Sequence, residues 1–322
     1  MLAVYATTAC PQAPLDALGF GEQPEPVVPD AEWAVVTVRS AALNHHDLWT
    51  LRGSGLMGGA YPRILGCEAA GVDDTGRPVI LASVHTDPQW RHDPVRDPRR
   101  AMIGETLPGT FAERVAVPRH LLVDRPGGFT DAEAACVAGT FLTAYRMLFT
   151  KSRLRPGDTV LIQGATGGVS SALIRLAAAG GFQVWVTGRT AAKRDHALAL
   201  GAHRGFPPGS VPANAVDAVM ESVGEATWAQ SLRAARPGGT IVVTGATTGA
   251  NPPAYLGRIF DRELTVTGSS GGTVDELHRL IAFMQSRAIR PDIDVELPFA
   301  QAREGMRRMA DGEARGKVVF SW

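Results

Sequence analysis

Residues 159–170 read Thr159-Val-Leu-Ile-Gln-Gly-Ala-Thr-Gly-Gly-Val-Ser170, and this stretch decides the fold. Its aliphatic start, Thr159 to Gln163, predicts a buried parallel strand. A glycine-rich turn follows, then a helix of small residues that ends at Gly180-Gly181, and then a second apolar strand, Phe182 to Thr187. A strand, a glycine turn, a helix and a strand within about thirty residues are typical of the βαβ unit that binds dinucleotides.

The glycine turn predicts how the cofactor is held. A pyrophosphate binds over the free N–H groups and the positive dipole end of a helix, so the backbone must come close to the ligand. The usual three-glycine pattern appears here as Ala165-x-Gly167-x-x-Ser170, and the alternative is a purely structural glycine turn. We expect cofactor contacts from Ala165, Thr166, Gly167, Gly168 and Val169.

The residues after the second strand indicate which cofactor binds. NAD-binding units place an acidic residue there for the ribose hydroxyls, whereas this chain has Gly188 and Arg189, with Lys193 and Arg194 soon after. Guanidinium and ammonium groups suit a 2′-phosphate. The alternative is that the basic residues only form the solvated start of the next helix. The sequence therefore predicts NADP(H), bound by Gly188, Arg189 and Lys193.

Length, charge and cysteine content limit the remaining possibilities. The 322 residues suggest two domains. Thirty-two basic residues balance thirty-two acidic ones, which implies no nucleic-acid partner. There is no apolar run long enough to cross a membrane and no secretion signal pattern. The three cysteines, Cys10, Cys67 and Cys136, are too dispersed for a disulfide framework, so we expect a cytoplasmic protein.

The rest of the chain predicts an α/β protein of two domains. Short β-like runs with glycine and proline breaks indicate a mostly antiparallel β domain over 1–125, with one helix over Asn44 to Arg52. Alternating strands and helices indicate a doubly wound parallel sheet over 126–287, which begins with a helical pattern over Ala132 to Thr150. We assign the tail, 288–322, to the first domain, which predicts a cleft between the two domains.

Several motifs, which follow one another in the family's order, make the chain resemble the medium-chain dehydrogenase/reductase superfamily, on its zinc-free, quinone-oxidoreductase-like side. The resemblance implies a GroES-like first domain, a Rossmann domain and a homodimer joined near Leu264 to Gly268. The motifs are Ala42-Leu-Asn-His-His-Asp-Leu-Trp49, Leu65-Gly-Cys-Glu-Ala-Ala-Gly71, Gly109-Thr-Phe-Ala-Glu113, Gly139-Thr-Phe-Leu-Thr-Ala-Tyr145 and Gly316-Lys-Val-Val319.

The departures from zinc-dependent relatives predict a protein without a metal. By the resemblance, the positions where those relatives keep three zinc ligands correspond to Asn44, Cys67 and Gly139 in this chain. An asparagine is a poor zinc ligand and a glycine offers no side chain. One alternative remains, an unusual metal site formed by His45, His46, Cys67 and Glu68.

Without a metal to polarise an alcohol, hydride addition to an electrophilic acceptor is the easier reaction. The resemblance implies a flat acceptor, either a quinone or an α,β-unsaturated carbonyl or enoyl compound. It places Asn44 against substrate or nicotinamide ribose, and His46 where relatives keep a proton-relay hydroxyl. Trp49 would form an aromatic wall and Thr143 would line the nicotinamide pocket. For His46 and Trp49, plain packing is the alternative.

Four further cofactor contacts are expected. Gly245, Gly268 and Ser269 follow predicted strands at their carboxyl ends, where cofactors lie in doubly wound sheets. The resemblance adds Lys317. The sequence leaves open two other functions: a nucleotide-binding member with little turnover, and an alcohol dehydrogenase-like enzyme on an unidentified substrate.

Overall fold

The computed structural model describes residues 1–54 and 60–322. These residues form two compact units. The first contains Met1–Thr140, Gly271–Gln285 and Ile293–Trp322, and the second contains Phe141–Ser270 and Ser286–Asp292. The first unit thus continues past the expected boundary at residue 125 and takes in most of a helix that the pattern assigned to the parallel-sheet domain.

Eighteen strands occur in the described part of the chain. In the first half they are β1 Leu2–Ala6, β2 Leu18–Glu22, β3 Trp33–Ala42, β4 Arg63–Ile64, β5 Ala69–Val72, β6 Pro78–Leu81, β7 Val84–His85, β8 Ala101–Met102, β9 Arg114–Pro118 and β10 Leu122–Asp124. In the second half they are β11 Thr159–Ile162, β12 Gln183–Thr187, β13 Arg204–Phe206, β14 Val216–Glu221, β15 Ala235–Val243, β16 Thr265–Gly268, β17 Ile293–Pro298 and β18 Lys317–Ser321.

Nine α-helices occur in the same described residues, and none of the helices found there is long and apolar enough to cross a membrane. They are α1 His45–Leu51, α2 Asp131–Ala134, α3 Leu142–Tyr145, α4 Gly168–Ala179, α5 Ala191–Ala199, α6 Glu225–Ala234, α7 Leu256–Asp261, α8 Val274–Ser286 and α9 Ala302–Ala310.

The first unit is built on a mostly antiparallel sheet. Its strands follow the order β10-β6-β5-β3-β18-β17, and β9 also pairs with β3. The C-terminal strand β18 is antiparallel to β3, with Val319 opposite Ala42. The tail therefore completes the sheet of the N-terminal segment. Below it, Phe111 packs edge-on against Phe320, with ring centroids 5.2 Å apart, in a fully buried aromatic core.

The second unit is a parallel six-stranded sheet in the order β13-β12-β11-β14-β15-β16. This is the doubly wound order, in which the strand sequence reverses beside β11 and the ligand crevice lies at the carboxyl ends of the strands. Fully buried Leu161, Val219 and Ile241 fill the middle of the sheet. The α/β fold class predicted from the glycine turn is confirmed.

The pattern over Ala132 to Thr150 does not form the single regular helix that we expected. Only α2 and α3 are regular, and wide π turns cover Val137–Phe141 and Arg146–Lys151. The first widening has a visible cause, because the N–H groups of Gly139 and Thr140 donate to Oε2 of Glu68, at 2.8 and 2.9 Å. A side chain that takes N–H groups out of the helical ladder widens the turn, often at a functional site.

Candidate functional site

The first turn of α1 fixes the residues that the sequence analysis placed in the active site. The N–H of Asn44 donates to Oδ2 of Asp47, at 2.9 Å, which closes the start of the helix. The other oxygen of Asp47 accepts from the N–H of Gly66, at 2.8 Å. Asp47 is fully buried, and it ties α1 to the segment that carries Cys67 and Glu68.

A buried polar cluster lies next to this turn; it consists of Asn44, Glu68, Thr140 and Lys317. Nζ of Lys317 donates to Oε1 of Glu68 at 2.8 Å, to Oδ1 of Asn44 at 2.9 Å and to Oγ1 of Thr140 at 2.7 Å. It also donates to the carbonyl of Leu43, at 2.8 Å. Oε1 of Glu68 further accepts from the amide of Asn44, at 3.0 Å, and from Oγ1 of Thr140, at 2.8 Å.

The cluster keeps an ion pair in a site that excludes water. Burial alone would raise the pKa of Glu68, but the charge of Lys317 and the surrounding hydrogen bonds lower it below its ordinary value. Burial would likewise lower the pKa of Lys317, and the charge of Glu68 raises it instead. Both groups are therefore charged at neutral pH, and each compensates the other.

The hydrogen bonds of Asn44 and Lys317 are all used inside the protein. Nδ2 of Asn44 donates to Glu68 and lies within bonding distance of the Ala42 carbonyl and Sγ of Cys67, at 3.2 and 3.4 Å. The ammonium of Lys317 has four oxygen partners for its three N–H groups. A contact of Asn44 with substrate, or of Lys317 with cofactor, stays a prediction that would require one of these bonds to break.

The residues around Glu68 and Cys67 do not fit a zinc ion. Lys317 already neutralises Glu68, and burial together with the nearby carboxylates raises the pKa of Cys67 well above its ordinary value. A Cβ added to Gly139 would lie 2.7 Å from Oε2 of Glu68, so the carboxylate fills the space of a third ligand. Within residues 1–54 and 60–322, no group of three His, Cys, Asp or Glu side chains could hold a metal ion. The exposed His45 thus has no ligand set to join there.

His46 lies outside the cluster and has a partner that the sequence analysis missed. Its Nε2 is 2.6 Å from Oε1 of Glu105, and each side chain is 12% exposed. Its Nδ1 is buried and has no hydrogen-bond partner among the described residues. Trp49 follows one turn later on α1 and is partly buried. His46 is therefore the residue of this helix turn that has a buried polar atom without a partner in the described part of the chain.

In the second unit, the glycine turn has the geometry of an anion site. Gly164 has φ +88°, which favours glycine, and its N–H donates to Oγ1 of Thr187, at 3.1 Å. Gly167 precedes α4 and provides no capping side chain. The N–H groups of Gly168, Val169 and Ser170 have no acceptor among the described residues. These unpaired donors at the N-terminal end of a twelve-residue helix fit a pyrophosphate.

A chain of buried side chains supports this turn from behind. Oγ1 of Thr187 donates to Oε1 of Gln163 at 2.6 Å, and Nε2 of Gln163 donates to Oγ of Ser231 at 2.9 Å. Ser231 in turn donates to Oε2 of Glu221, at 2.6 Å. The polar Gln163, which follows the apolar strand β11, thereby links the carboxyl ends of β11, β12 and β14.

The end of β12 carries the basic residues that the sequence shows there. Arg189 is exposed, with no hydrogen-bond acceptor in the described residues, whereas Lys193 lies in the first turn of α5. Arg194 extends over Gly188 and donates from Nη1 to its carbonyl, at 2.8 Å. A Cβ at Gly188 would lie 2.8 Å from Cγ of Arg194, and one at Gly205 would lie 2.9 Å from its Cβ. Two glycines thus make room for the stem of Arg194.

The remaining predicted residues of this unit are found at the carboxyl ends of their strands or on α3. Gly268 ends β16, and Gly245 follows β15. The N–H of Ser269 donates to the carbonyl of Val243, at 2.8 Å, while its Oγ is buried without a partner in the described part of the chain. An unpaired buried hydroxyl at this edge fits a cofactor contact. Thr143 is partly buried on α3.

The pairing of Glu68 with Lys317, which was not predicted, had a signal in the sequence. Glu68 lies within the apolar stretch after Leu65, and Lys317 begins the apolar strand β18. A charged residue in each of two apolar runs indicates a buried pair of opposite charges. Glu105 gave no comparable signal, because an acid in a loop is usually solvated.

Comparisons with known proteins agree with this architecture. A family model described as zinc-binding dehydrogenase matches residues 168–286. A zinc-type alcohol dehydrogenase-like protein of Schizosaccharomyces pombe is 28% identical, over 89% of this chain and 90% of the relative. An acryloyl-coenzyme A reductase of Sulfurisphaera tokodaii is 27% identical, over 92% and 94%. A solved NAD-dependent alcohol dehydrogenase superposes with a TM-score of 0.91 and 28% identity, over the whole of both chains.

Proposed function

The chain belongs to the medium-chain dehydrogenase/reductase superfamily of oxidoreductases, and we propose that it is a zinc-independent, NADPH-dependent reductase of conjugated carbonyl compounds. Its acceptor would be an enoyl thioester, an enone or a quinone. The single observation that carries the proposal is the buried Glu68–Lys317 pair, whose carboxylate accepts from Asn44 and from the N–H of Gly139, two of the three positions where the resemblance places the zinc ligands of relatives. An acceptor that is electrophilic by itself needs no metal to polarise it.

The cofactor side of the proposal depends on charge at the end of β12. No carboxylate follows this strand, and Arg189 and Arg194 provide guanidinium groups near buried Gly188. A 2′-phosphate would receive charge-assisted hydrogen bonds there, which together contribute roughly 1.5–3 kcal/mol. We therefore expect NADPH to bind more tightly than NADH by about one to two orders of magnitude. The unpaired N–H groups at the start of α4 would hold the pyrophosphate.

The reaction divides between the cofactor and the chain. When bound, the reduced nicotinamide supplies the hydride. The chain would hold the acceptor, exclude water and provide a proton, for which His46 is the candidate because its Nδ1 is unpaired among the described residues. The relative named as an acryloyl-coenzyme A reductase supports an enoyl thioester as the first acceptor to test.

The decisive experiment measures NADPH oxidation by the purified protein with crotonyl-coenzyme A, cyclohexenone and 1,4-naphthoquinone, before and after treatment with a chelator. We expect turnover with at least one acceptor, a preference for NADPH over NADH, and no loss of activity on chelation. Stoichiometric zinc in elemental analysis, or activity that zinc alone restores, would contradict the proposal.

One observation favours a second candidate. The solved structure that covers the whole chain at 28% identity is described as an NAD-dependent alcohol dehydrogenase. Under this alternative the protein would oxidise an alcohol with NAD⁺, and the same assay run in reverse with simple alcohols distinguishes the two. Binding of NADPH without turnover of any acceptor or alcohol would instead support a nucleotide-binding protein with little activity.

We also propose a homodimer through the edge of the parallel sheet. Strand β16 is the last strand of that sheet, and Val266 on it is 42% exposed. On neighbouring α7, Leu256 and Phe260 are 69% and 76% exposed. An unpaired strand edge next to apolar side chains favours pairing with a second copy. Sedimentation at micromolar concentration should show a dimer and Phe260→Glu a monomer, whereas a monomeric unmodified protein would contradict this.

A further inference from the structure

The imidazole of His46 has one paired and one unpaired nitrogen in the described part of the chain. Nε2 is 2.6 Å from Oε1 of Glu105, and Nδ1 is buried without a partner there. We propose that Glu105 is a positioning residue that holds Nε2 of His46, so that the Nδ1–H group serves the carbonyl oxygen of the acceptor. This inference rests on the proposed function.

The backbone around Glu105 is well fixed. Glu105 belongs to a turn that returns the chain from Met102 to Leu107, where the N–H of Gly104 donates to the carbonyl of Leu107, at 3.0 Å. Gly104 has φ +84°, and a Cβ on it would lie 2.7 Å from the carbonyl oxygen of Gly66. The N–H of that same Gly66 donates to Asp47, the neighbour of His46. The turn and α1 are therefore held against one backbone point, which sets the distance between the two side chains.

The charges that act on His46 favour its protonated form. They are Asp47, next to it on α1, and Glu105, on the turn that packs against this helix. Burial by itself lowers the pKa of His46, but the hydrogen bond with Glu105 and the two carboxylate charges raise it above its ordinary value. In the imidazolium form both ring nitrogens carry hydrogen, and only Nε2–H has an acceptor among the described residues.

An unpaired buried donor of this kind destabilises the folded protein, so its presence in a candidate active site calls for an acceptor from the substrate. Hydride from the reduced nicotinamide forms a C–H bond at the β-carbon of the acceptor, and the C=C π pair moves toward the carbonyl oxygen. The Nδ1 proton of His46 passes to that oxygen, which gives an enol and leaves a neutral imidazole whose Nε2–H still bonds to Glu105.

The test compares Glu105→Gln with the unmodified enzyme in crotonyl-coenzyme A reduction across pH. The unmodified enzyme should lose activity as rising pH deprotonates His46. In Glu105→Gln this loss should begin about one pH unit lower, so that kcat is about tenfold lower on the alkaline limb and little changed on the acid side. The KM for NADPH should not change. Glu22→Gln, at an exposed residue of β2, is the matched control.

A second readout does not depend on turnover. An NMR titration of the histidine ring signals, with His46 assigned by comparison with His46→Gln, should show a lower pKa for His46 in Glu105→Gln. Glu105→Asp keeps the charge and should keep the pH profile at reduced kcat, which covers the case in which Glu105→Gln folds poorly.

These experiments distinguish a failure of the proposed function from a failure of the inference about Glu105. If the unmodified protein reduces no acceptor, the proposed function fails and this inference with it. If the unmodified protein is active but Glu105→Gln leaves both the pH limb and the pKa of His46 unmoved, only the inference is overturned. A loss of activity that is equal at every pH would likewise show that Glu105 merely holds its turn.

Discussion

The polar cluster of the first unit and the glycine turn of the second handle charge in opposite ways. In the cluster, Glu68 and Lys317 neutralise each other, and the described hydrogen bonds use every N–H of Lys317 and of the Asn44 side chain. In the glycine turn, three N–H groups at the start of α4 have no acceptor among the described residues, and Arg189 beyond β12 is exposed. The cluster is closed, whereas the turn is open to an anion.

This difference indicates what each region contributes. A closed cluster of buried charges fixes the positions of neighbouring segments, here the start of α1 and the widened turn at Gly139, and it offers nothing to a ligand without breaking a bond. Open backbone donors at a helix end cost little in water and gain their partners when an anion binds. We therefore expect substitutions in the cluster to affect stability first, and substitutions at the turn to affect cofactor binding first.

The largest expected effect comes from Lys317→Met, which removes the positive charge and leaves Glu68 buried. Breaking a buried ion pair in this way costs about 3–5 kcal/mol, because the remaining charge has no compensation. The free energy of unfolding, measured with urea, should fall by that amount. Lys151→Met, in the partly exposed end of a π turn, is the matched control and should change it by less than about 0.5 kcal/mol.

The pH dependence of the stability lost in Lys317→Met shows whether the uncompensated charge of Glu68 causes the loss. In the unmodified protein, the lowered pKa of Glu68 contributes stability above its unfolded value of about 4.3, and this is lost as the pH falls through the folded pKa. Without Lys317, burial should raise the pKa of Glu68, so the deficit should shrink as acid protonates it. Adding Glu68→Gln to Lys317→Met should recover part of the loss. An equal deficit at all pH values would point to lost packing instead.

The sequence was sufficient to predict the glycine turn but not the polar cluster. The glycine turn and its flanking strands are local, so the pattern from Thr159 onward was sufficient for the doubly wound sheet. The cluster joins residues that are up to 273 positions apart in the chain, such as Asn44 and Lys317, and periodicity carries no information on such a pairing. The regular helix expected over Ala132 to Thr150 is widened at Val137–Phe141 for the same reason, because the distant Glu68 accepts from the N–H groups of Gly139 and Thr140.

At the end of β12, arginine substitutions should affect cofactor binding. Arg194→Ala and Arg189→Ala should each raise the dissociation constant for NADPH by roughly tenfold or more, since each removes a charge-assisted contact with the 2′-phosphate. The constant for NADH should change little, because NADH has no phosphate to lose. Gly188→Asp is a poor test of the same idea, since its Cβ would lie 2.8 Å from Cγ of Arg194 and 3.1 Å from Cβ of Ala165.

The two arginines are expected to differ in a way that tests preorganisation. Arg194 is already anchored on the carbonyl of Gly188, whereas Arg189 is exposed and must give up side-chain freedom when it binds a phosphate. Arg194→Ala should therefore have the larger effect, as measured by titration of cofactor fluorescence. Arg155→Ala, at an exposed arginine before β11, is the matched control. If neither substitution at the end of β12 separates NADPH from NADH, these basic residues are only the solvated start of α5, and the cofactor preference has to come from elsewhere in the chain.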